Sequence, residues 1–219
     1  MPLNGLLIAV PILLLSVVLH EYAHARVAVA QGDPTPERAG RLTLNPLAHI
    51  DPIGSLLVPI GLWIASGGSA VFGWARPVPT DPRLYREPTR GDLLVSSAGV
   101  VTNFALAAAF VLVAVAVARA GAAAGSAGWL DVLWQTAQFG ILINLLLGVF
   151  NLLPVPPLDG SHLLFHALPP SMRGRYRAFG RYGFLVLVAI MFVPGLLDAI
   201  LWPVYRLYDL ANVVVRLGA

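Results

Sequence analysis

Cysteine and lysine are absent from the chain, and charged residues of any kind are scarce. Of the 219 residues, 11% are charged and 58% are hydrophobic, and all 14 basic residues are arginine. Without cysteine, disulfides, thiolate nucleophiles and cysteine-based zinc sites are excluded, so a bound metal needs histidine, aspartate or glutamate ligands. A soluble domain carries roughly 25% charged residues, so this composition indicates a membrane protein.

Long apolar runs occupy most of the chain. A spanning helix needs roughly 20 apolar residues, and no polar segment is long enough to fold as a soluble domain. We therefore predict an all-α polytopic membrane protein with a single domain over residues 1–219, a core near 5–165 and C-terminal membrane helices near 182–217. The five to six predicted membrane segments are residues 1–19 continuing helically to about 31, 53–75, 93–118, 132–158, 182–197 and, as a last span or an interfacial helix, 200–215.

Two segments outside these runs have an extended pattern. Residues 41–44 alternate like a short strand, and residues 74–80 are a candidate extended partner for them. We expect a small strand-like part at the cytosolic surface or the membrane interface. The net charge of +3 comes without a basic patch interleaved with aromatics, so nucleic-acid binding is not expected.

The arginines predict how the chain crosses the membrane. Suppose that residues 53–75 enter and leave the membrane by the same face. Eleven arginines then lie on the membrane face reached at the end of the first helix, and only Arg119 lies in a short connection on the opposite face. The positive-inside rule makes the arginine-rich face cytoplasmic. The glycines and prolines of residues 53–75 also suit a re-entrant element covered by protein. We therefore expect Asp159 to reach the same face as the end of the first helix.

The residues that carry chemistry begin with His20-Glu21-Tyr22-Ala23-His24, directly after nineteen uncharged residues. Histidines at i and i+4 on a helix face the same way and can bind one zinc ion, and the glutamate between them can act as general base on a zinc-bound water. Ionisable groups inside a membrane are costly and indicate function. We predict His20 and His24 as metal ligands and Glu21 as the catalytic base.

Asp159 is the candidate third ligand. Catalytic zinc sites usually have three protein ligands and one open position, and Asp159 follows 27 uncharged residues in a proline-rich break. A buried unpaired aspartate is expensive, and zinc would remove that cost. The alternative is an aspartate that caps the helix beginning near Gly160.

The sequence predicts the roles of the other polar residues less specifically. Asn103, within an apolar helix, is expected to hydrogen-bond between helices. His49 is a candidate for a structural or supporting hydrogen bond rather than a ligand. His162 and His166 are also spaced i and i+4, so a second metal site stays open, although a polar helix face is favoured.

The motifs together resemble the site-2 protease family of intramembrane zinc metalloproteases, in its minimal branch without a PDZ domain. The resemblance runs in order over residues 5–165. It rests on HEYAH at 20–24, NLLPVPPLDG at 151–160, RLTLNPLAHIDPIG at 41–54, GWARPVP at 73–79 and SAGVVTN at 97–103. One departure is Ser161-His162, where many relatives have Gly-Arg.

The resemblance implies an intramembrane zinc endopeptidase with one Zn²⁺ per chain. It implies Asp159 as third ligand, and Asn151 as a residue that positions the substrate or stabilises the oxyanion. The expected substrates are single-span membrane proteins, cut near the cytosolic side of a cell membrane, in what is expected to be a prokaryote. A homo-oligomer or a regulatory membrane partner stays open. The alternatives are a zinc-binding membrane transporter and a non-proteolytic relative that binds membrane helices.

Overall fold

A computed structural model of the protein describes residues 3–65, 73–124 and 128–219. Every regular element in these residues is helical, which confirms the predicted all-α class. The α-helices are α1 (Leu3–Gln31), α2 (Thr35–Arg38), α3 (Val58–Ala65), α4 (Pro88–Ala124), α5 (Gly128–Asn151), α6 (Asp159–Ala167), α7 (Pro170–Phe179), α8 (Gly183–Phe192) and α9 (Leu196–Gly218). A π-turn over Ile53–Leu57 leads into α3, and 3₁₀ turns occupy Pro46–His49, Pro82–Leu84 and Gly180–Tyr182.

Three of these helices are long and apolar enough to cross a membrane. By length and composition they are Leu7–Gln31, Pro88–Ala122 and Gly128–Asn151. They correspond to three of the predicted membrane segments. Helix α5 ends at Asn151, before the predicted limit of 158, because prolines follow at 154, 156 and 157. The protein is thus a multi-pass membrane protein. The larger count of five to six segments, which adds residues 53–75 and helices α8 and α9, stays a prediction.

Helices α1, α4, α5 and α9 form the packed centre of the molecule. Small residues let α4 and α5 approach closely, because Ala107, Ala114 and Ala137 are all buried and the Phe110 ring lies against Gly140, where no Cβ would fit. Close packing of small residues is the usual basis of helix association in membranes. Val204 and Val215 of α9 complete this cluster.

The two ends of segment 53–75 lie together. The Trp74 N–H donates to the Gly54 carbonyl at 3.0 Å, and the Ser55 hydroxyl donates to the Trp74 carbonyl at 2.9 Å. Residues 53–65, at 1.5 Å per residue, reach only about 20 Å, short of a hydrocarbon core of about 30 Å. These observations favour the re-entrant interpretation. Part of the predicted segment, residues 66–72, lies outside the described residues.

The two segments predicted to be strand-like form no strand in the part of the chain that the structure describes. Residues 74, 76 and 78 instead donate their N–H groups to the Gly54 carbonyl, the His49 carbonyl and the Glu21 carboxylate. Pro77 and Pro79, between and after them, have no N–H to give to a ladder. Alternating prolines therefore explain why the extended pattern of residues 74–80 does not become a paired strand.

The buried side chain of Asp33 holds the residues that follow segment 74–80 against the end of α1. The side chain is fully buried, and its two oxygens accept the Thr35 and Asp81 N–H groups at 2.9 and 2.7 Å. The Arg86 N–H donates to the Gln31 carbonyl at 2.8 Å. Residues 78–86 thus run along the C-terminal half of α1, beside the predicted metal motif.

This arrangement predicts that Arg38 and Glu87 lie on one membrane face and Arg119 on the other. From residue 88 to residue 119, α4 advances about 47 Å at 1.5 Å per residue, more than the hydrocarbon thickness. Because the chain has no cysteine, Arg38→Cys, Glu87→Cys and Arg119→Cys each introduce a unique label site. An impermeant maleimide applied to sealed vesicles should modify the first two from the same side. Opposite sidedness of Arg38→Cys and Glu87→Cys would contradict the re-entrant interpretation.

Candidate metal centre

Helix α1 places both motif histidines on its buried face. His20 and His24 are one turn apart and only 7% and 8% exposed, and Ser16, a further turn back, is fully buried. Ala25 and Ala28, also fully buried, allow neighbouring elements to approach the same end of the helix. The spacing predicted from the sequence therefore holds in three dimensions.

The break between α5 and α6 brings Asp159 to these histidines. Helix α6 begins at Asp159, and the next residue, Gly160, packs so closely on the Leu152 carbonyl that a Cβ there would overlap it. The Asp159 Oδ2 atom lies 3.4 Å from His20 Nε2 and 3.3 Å from His24 Nε2, and the two Nε2 atoms are 3.0 Å apart. Within the described residues, this is the one group of three or more ligand-type side chains with metal-site spacing.

These separations match the geometry that zinc requires. Ligand atoms at 2.0–2.1 Å from a tetrahedral ion stand about 3.3 Å from one another. The three observed distances lie close to that value. Three protein ligands on a tetrahedral ion leave one coordination position open, as catalytic zinc sites do.

The protonation pattern of the histidines also fits a cation. His20 Nδ1 lies 2.6 Å from Asn103 Oδ1, and His24 Nδ1 lies 2.7 Å from the Val95 carbonyl. Both partners are acceptors, so each ring donates through Nδ1 and presents a lone pair at Nε2. Two lone pairs and a carboxylate oxygen then converge without a proton between them. Asp159 Oδ2 is buried without a hydrogen-bond partner among the described residues, and a zinc ion would satisfy all three atoms.

A buried chain of side-chain amides supports His20. Asn103 accepts from His20 and donates to Asn144 Oδ1 at 3.0 Å, and Asn144 donates to Ser16 Oγ at 2.9 Å. Asn103, Asn144 and Ser16 are all fully buried. The predicted interhelical hydrogen bonding of Asn103 is therefore present in the structure. The hydrogen-bonded series of side chains joins α1, α4 and α5 around the His20 imidazole. Such partners fix the tautomer and the orientation of a metal-binding histidine.

Gly99 sets the distance between α4 and the histidine pair. A Cβ built on Gly99 would overlap ring atoms of both His20 and His24. Gly99 thus forms the wall of the centre, one turn before Asn103 and one turn after the Val95 carbonyl that accepts from His24. We did not predict Gly99, the Val95 carbonyl, Asn144 or Ser16 from the sequence. Polar and small residues spaced by three or four within α4 are the signal that could have indicated this face.

The two predicted catalytic residues have protein partners. Glu21 is half-buried and accepts the Val78 N–H at 3.0 Å, so residues 73–81 pass beside it. Asn151, the last residue of α5, donates one amide hydrogen to the Leu147 carbonyl of its own helix at 3.0 Å. An amide has a second donor hydrogen and an acceptor oxygen. The roles assigned to Glu21 and Asn151 stay predictions.

The remaining histidines lie apart from the ligand group. His49 is buried in its loop, and its Nε2–H donates to the Thr43 carbonyl at 3.0 Å, because a carbonyl can only accept. This is the structural hydrogen bond predicted for it. His162 and His166 both contact Asp92 of α4.

Comparison with known proteins identifies related sequences. Residues 115–194 match the model of peptidase family M50. The chain is 41% identical over 205 residues to the provisionally named zinc metalloprotease YwhC of Bacillus subtilis, covering 92% of this chain and 87% of YwhC. It is 34% identical over 206 residues to the provisionally named zinc metalloprotease Rip2 of Mycobacterium tuberculosis, covering 94% of this chain and 74% of Rip2. No solved structure matches.

Gly99→Ala is expected to weaken metal binding strongly. The added methyl group would push both imidazoles away from Asp159, and we expect the zinc dissociation constant to rise by at least about 10-fold, by analogy with disturbed supporting residues. Competition with a chelator of known affinity measures this change. Gly121→Ala, in the same helix but with no atom near its added Cβ, is the matched control and should bind zinc normally. Equal zinc affinity of the two variants would contradict the close approach at Gly99.

Asn103→Leu is expected to raise the zinc dissociation constant about 10- to 100-fold, because His20 loses the acceptor that fixes its tautomer. Gln138→Leu serves as the control. It removes another side-chain amide of the membrane helices, whose oxygen accepts from the Tyr208 hydroxyl of α9 at 2.6 Å rather than from a metal-centre histidine. Chelator competition should separate the two variants. A similar loss of affinity in both would indicate a general packing effect.

Proposed function

Because this chain belongs to the site-2 protease family of zinc metalloproteases, peptidase family M50, we propose that it hydrolyses a peptide bond within or near a transmembrane helix of another membrane protein. It is a zinc-dependent metalloendopeptidase embedded in a multi-pass helical fold. The single observation that carries the proposal is the convergence of His20, His24 and Asp159 within 3.0–3.4 Å of one another, at the end of a membrane helix.

The proposed chemistry assigns separate tasks to the side chains. His20, His24 and Asp159 would hold the zinc ion, which when bound would supply a Lewis acid and lower the pKa of a water molecule. Glu21, on the turn between the two histidines, would accept the proton of the attacking water at its carboxylate and return it to the leaving amine. Its hydrogen bond from Val78 N–H orients the carboxylate. Asn151 donates its remaining amide hydrogen to the carbonyl oxygen on which negative charge develops.

The substrate helix has to unwind locally, since a helical peptide bond is shielded by its own hydrogen bonds. Residues 41–44 and 74–80, with their extended sequence pattern, are the candidate segments to receive the unwound stretch. The N–H groups of residues 74, 76 and 78 already have acceptors, and Pro77 and Pro79 have none to offer. Residues 74–80 would therefore receive a substrate chiefly through backbone carbonyls, with the substrate as donor.

The arginine distribution supports a cytosol-facing centre in a bacterial cell membrane. Arg38, Arg83 and Arg90 lie in elements that adjoin the metal end of α1, and Arg119 lies near the other end of α4. Under the positive-inside rule the metal end is cytosolic. Single-span membrane proteins are the proposed substrates, with any homo-oligomer or regulatory partner acting at the membrane-embedded surface.

A zinc transporter is the main alternative function. Transport needs ligands along a path that reaches both faces, whereas the ligand group identified in the described residues lies only at one end of α1. A non-proteolytic relative would be expected to lack the glutamate, and Glu21 is present between the histidines. Both features favour hydrolysis.

Glu21→Gln is expected to abolish cleavage and leave zinc binding intact. The amide cannot accept the water proton, so the rate should fall by at least about 10²-fold, the usual scale of general acid–base catalysis. The assay reconstitutes the purified protein in lipid vesicles with a panel of single-span substrates and follows the products by mass spectrometry. Asp159→Ala should instead weaken zinc binding and reduce activity together.

The two variants separate the proposed roles. Persisting cleavage by Glu21→Gln would overturn the base assignment. Full zinc occupancy of Asp159→Ala at limiting metal would overturn the ligand assignment. Zinc flux across intact vesicles by the wild-type protein, without substrate cleavage, would favour the transporter.

A further inference from the structure

Helix α6 carries three chemistry-bearing residues on one face, of which the metal centre uses only one. Asp159, His162 and His166 follow one another at three and four residues, which places them along one stripe of the helix. His162 Nδ1 lies 3.2 Å from Asp92 Oδ1, and His166 Nε2 lies 2.7 Å from Asp92 Oδ2. A single carboxylate of α4 thus holds two turns of α6.

Two of the three side chains in these contacts are largely buried, so their hydrogen bonds matter for the stability of the contact between α4 and α6. The side chains of Asp92 and His166 are each only 11% exposed, whereas that of His162 is 50% exposed. A buried carboxylate without partners is costly, and hydrogen bonds to ionised groups are among the stronger ones. The hydrogen bond to Asp92 raises the pKa of His162 above its usual value, and because a carboxylate accepts, the ring donates through Nδ1. Arg173 adds a further contact by donating to the His166 carbonyl at 3.1 Å.

The position of Asp92 links this cluster to the metal centre. Asp92 lies one turn before Val95, whose carbonyl accepts from His24, and two turns before Gly99, which contacts both zinc-ligand imidazoles. The same face of α4 therefore fixes the histidines directly and fixes α6 through Asp92. Because α6 has only nine residues and begins at Asp159, a shift of α6 would move the third ligand.

A second metal ion is a poorer explanation of this cluster. The 2.7 Å separation of His166 Nε2 and Asp92 Oδ2 is a hydrogen-bond distance. Throughout the described ranges, only His20, His24 and Asp159 meet metal-site spacing. The second histidine pair that the sequence left open is accounted for by its two hydrogen bonds to Asp92.

We propose that Asp92, His162 and His166 form a positioning clamp that holds α6 against α4 and thereby keeps Asp159 at the metal centre. The proposal rests on the proposed function in one respect, namely that His20, His24 and Asp159 bind zinc. The hydrogen bonds of the clamp run between α6 and α4, and the clamp acts through the placement of α6.

A double-mutant cycle tests the clamp through zinc affinity rather than proteolysis. Zinc dissociation constants are measured by chelator competition for the wild-type protein, Asp92→Ala, Asp159→Ala and the double variant. Asp92→Ala alone should weaken zinc binding about 10- to 100-fold, the range for residues that support a ligand. In the Asp159→Ala background, the same change should have no further effect, because the ligand that the clamp positions is gone. A structural defect acting elsewhere would weaken binding equally in both backgrounds.

The outcomes distinguish the clamp from the metal centre itself. Equal effects of Asp92→Ala in the two backgrounds, or no effect in either, would overturn the clamp. Unchanged zinc affinity of Asp159→Ala would overturn the proposed metal centre instead. A zinc content of two ions per wild-type chain that falls to one in Asp92→Ala would make the cluster a metal site and overturn the clamp.

Two further variants control for folding. Asp92→Asn keeps an acceptor oxygen for one imidazole, so its zinc affinity should lie between those of the wild-type protein and Asp92→Ala. Asp131→Ala removes an exposed carboxylate at the start of α5 and should bind zinc as the wild-type protein does. If Asp92→Asn binds zinc no more tightly than Asp92→Ala, hydrogen bonding is not the basis of the clamp.

Discussion

The close packing of α4 against α1 at Gly99 is the contact on which the rest of the metal centre depends. Because Gly99 has no side chain, the two imidazoles can lie directly on the α4 backbone. That proximity lets the Val95 carbonyl reach His24 and the Asn103 amide reach His20. A larger residue at this position would separate the helices, and both supporting hydrogen bonds would lengthen with the gap.

Behind the metal centre, buried polar side chains of α1, α4 and α5 are joined to one another by hydrogen bonds. Unsatisfied polar groups in hydrocarbon cost several kcal/mol each, which accounts for the continuous chain from His20 through Asn103 and Asn144 to Ser16. Together with the bond from His24 to the Val95 carbonyl, these hydrogen bonds direct both Nε2 lone pairs towards Asp159. The amide chain and the Val95 carbonyl therefore create a convergence of acceptors that a zinc ion would relieve, so the support of the histidines and their proposed affinity for metal have one physical origin.

The polar surroundings of Glu21 come from a different part of the chain. Buried Asp33 holds Asp81, and the intervening stretch back to Val78 then passes beside the Glu21 carboxylate. The prolines in this stretch keep it from pairing as a strand. In the proposed function, this extended segment lies beside the carboxylate proposed as general base, and its backbone carbonyls are the groups that an unwound substrate would meet.

The sequence by itself determined the membrane class, the helical metal motif at His20 and His24, and the chain break that presents Asp159. Those features follow from local rules, since apolar runs, i and i+4 spacing and prolines act within one segment. Only the tertiary structure decided that α4 backs both histidines, that Asn144 extends the support of Asn103, and that His162 and His166 share Asp92. It also decided that residues 74–80 bind α1 and the 49–54 loop rather than form a strand. These pairings join residues up to 128 positions apart, and the distance between two such residues is set by how the helices pack, which no local spacing records.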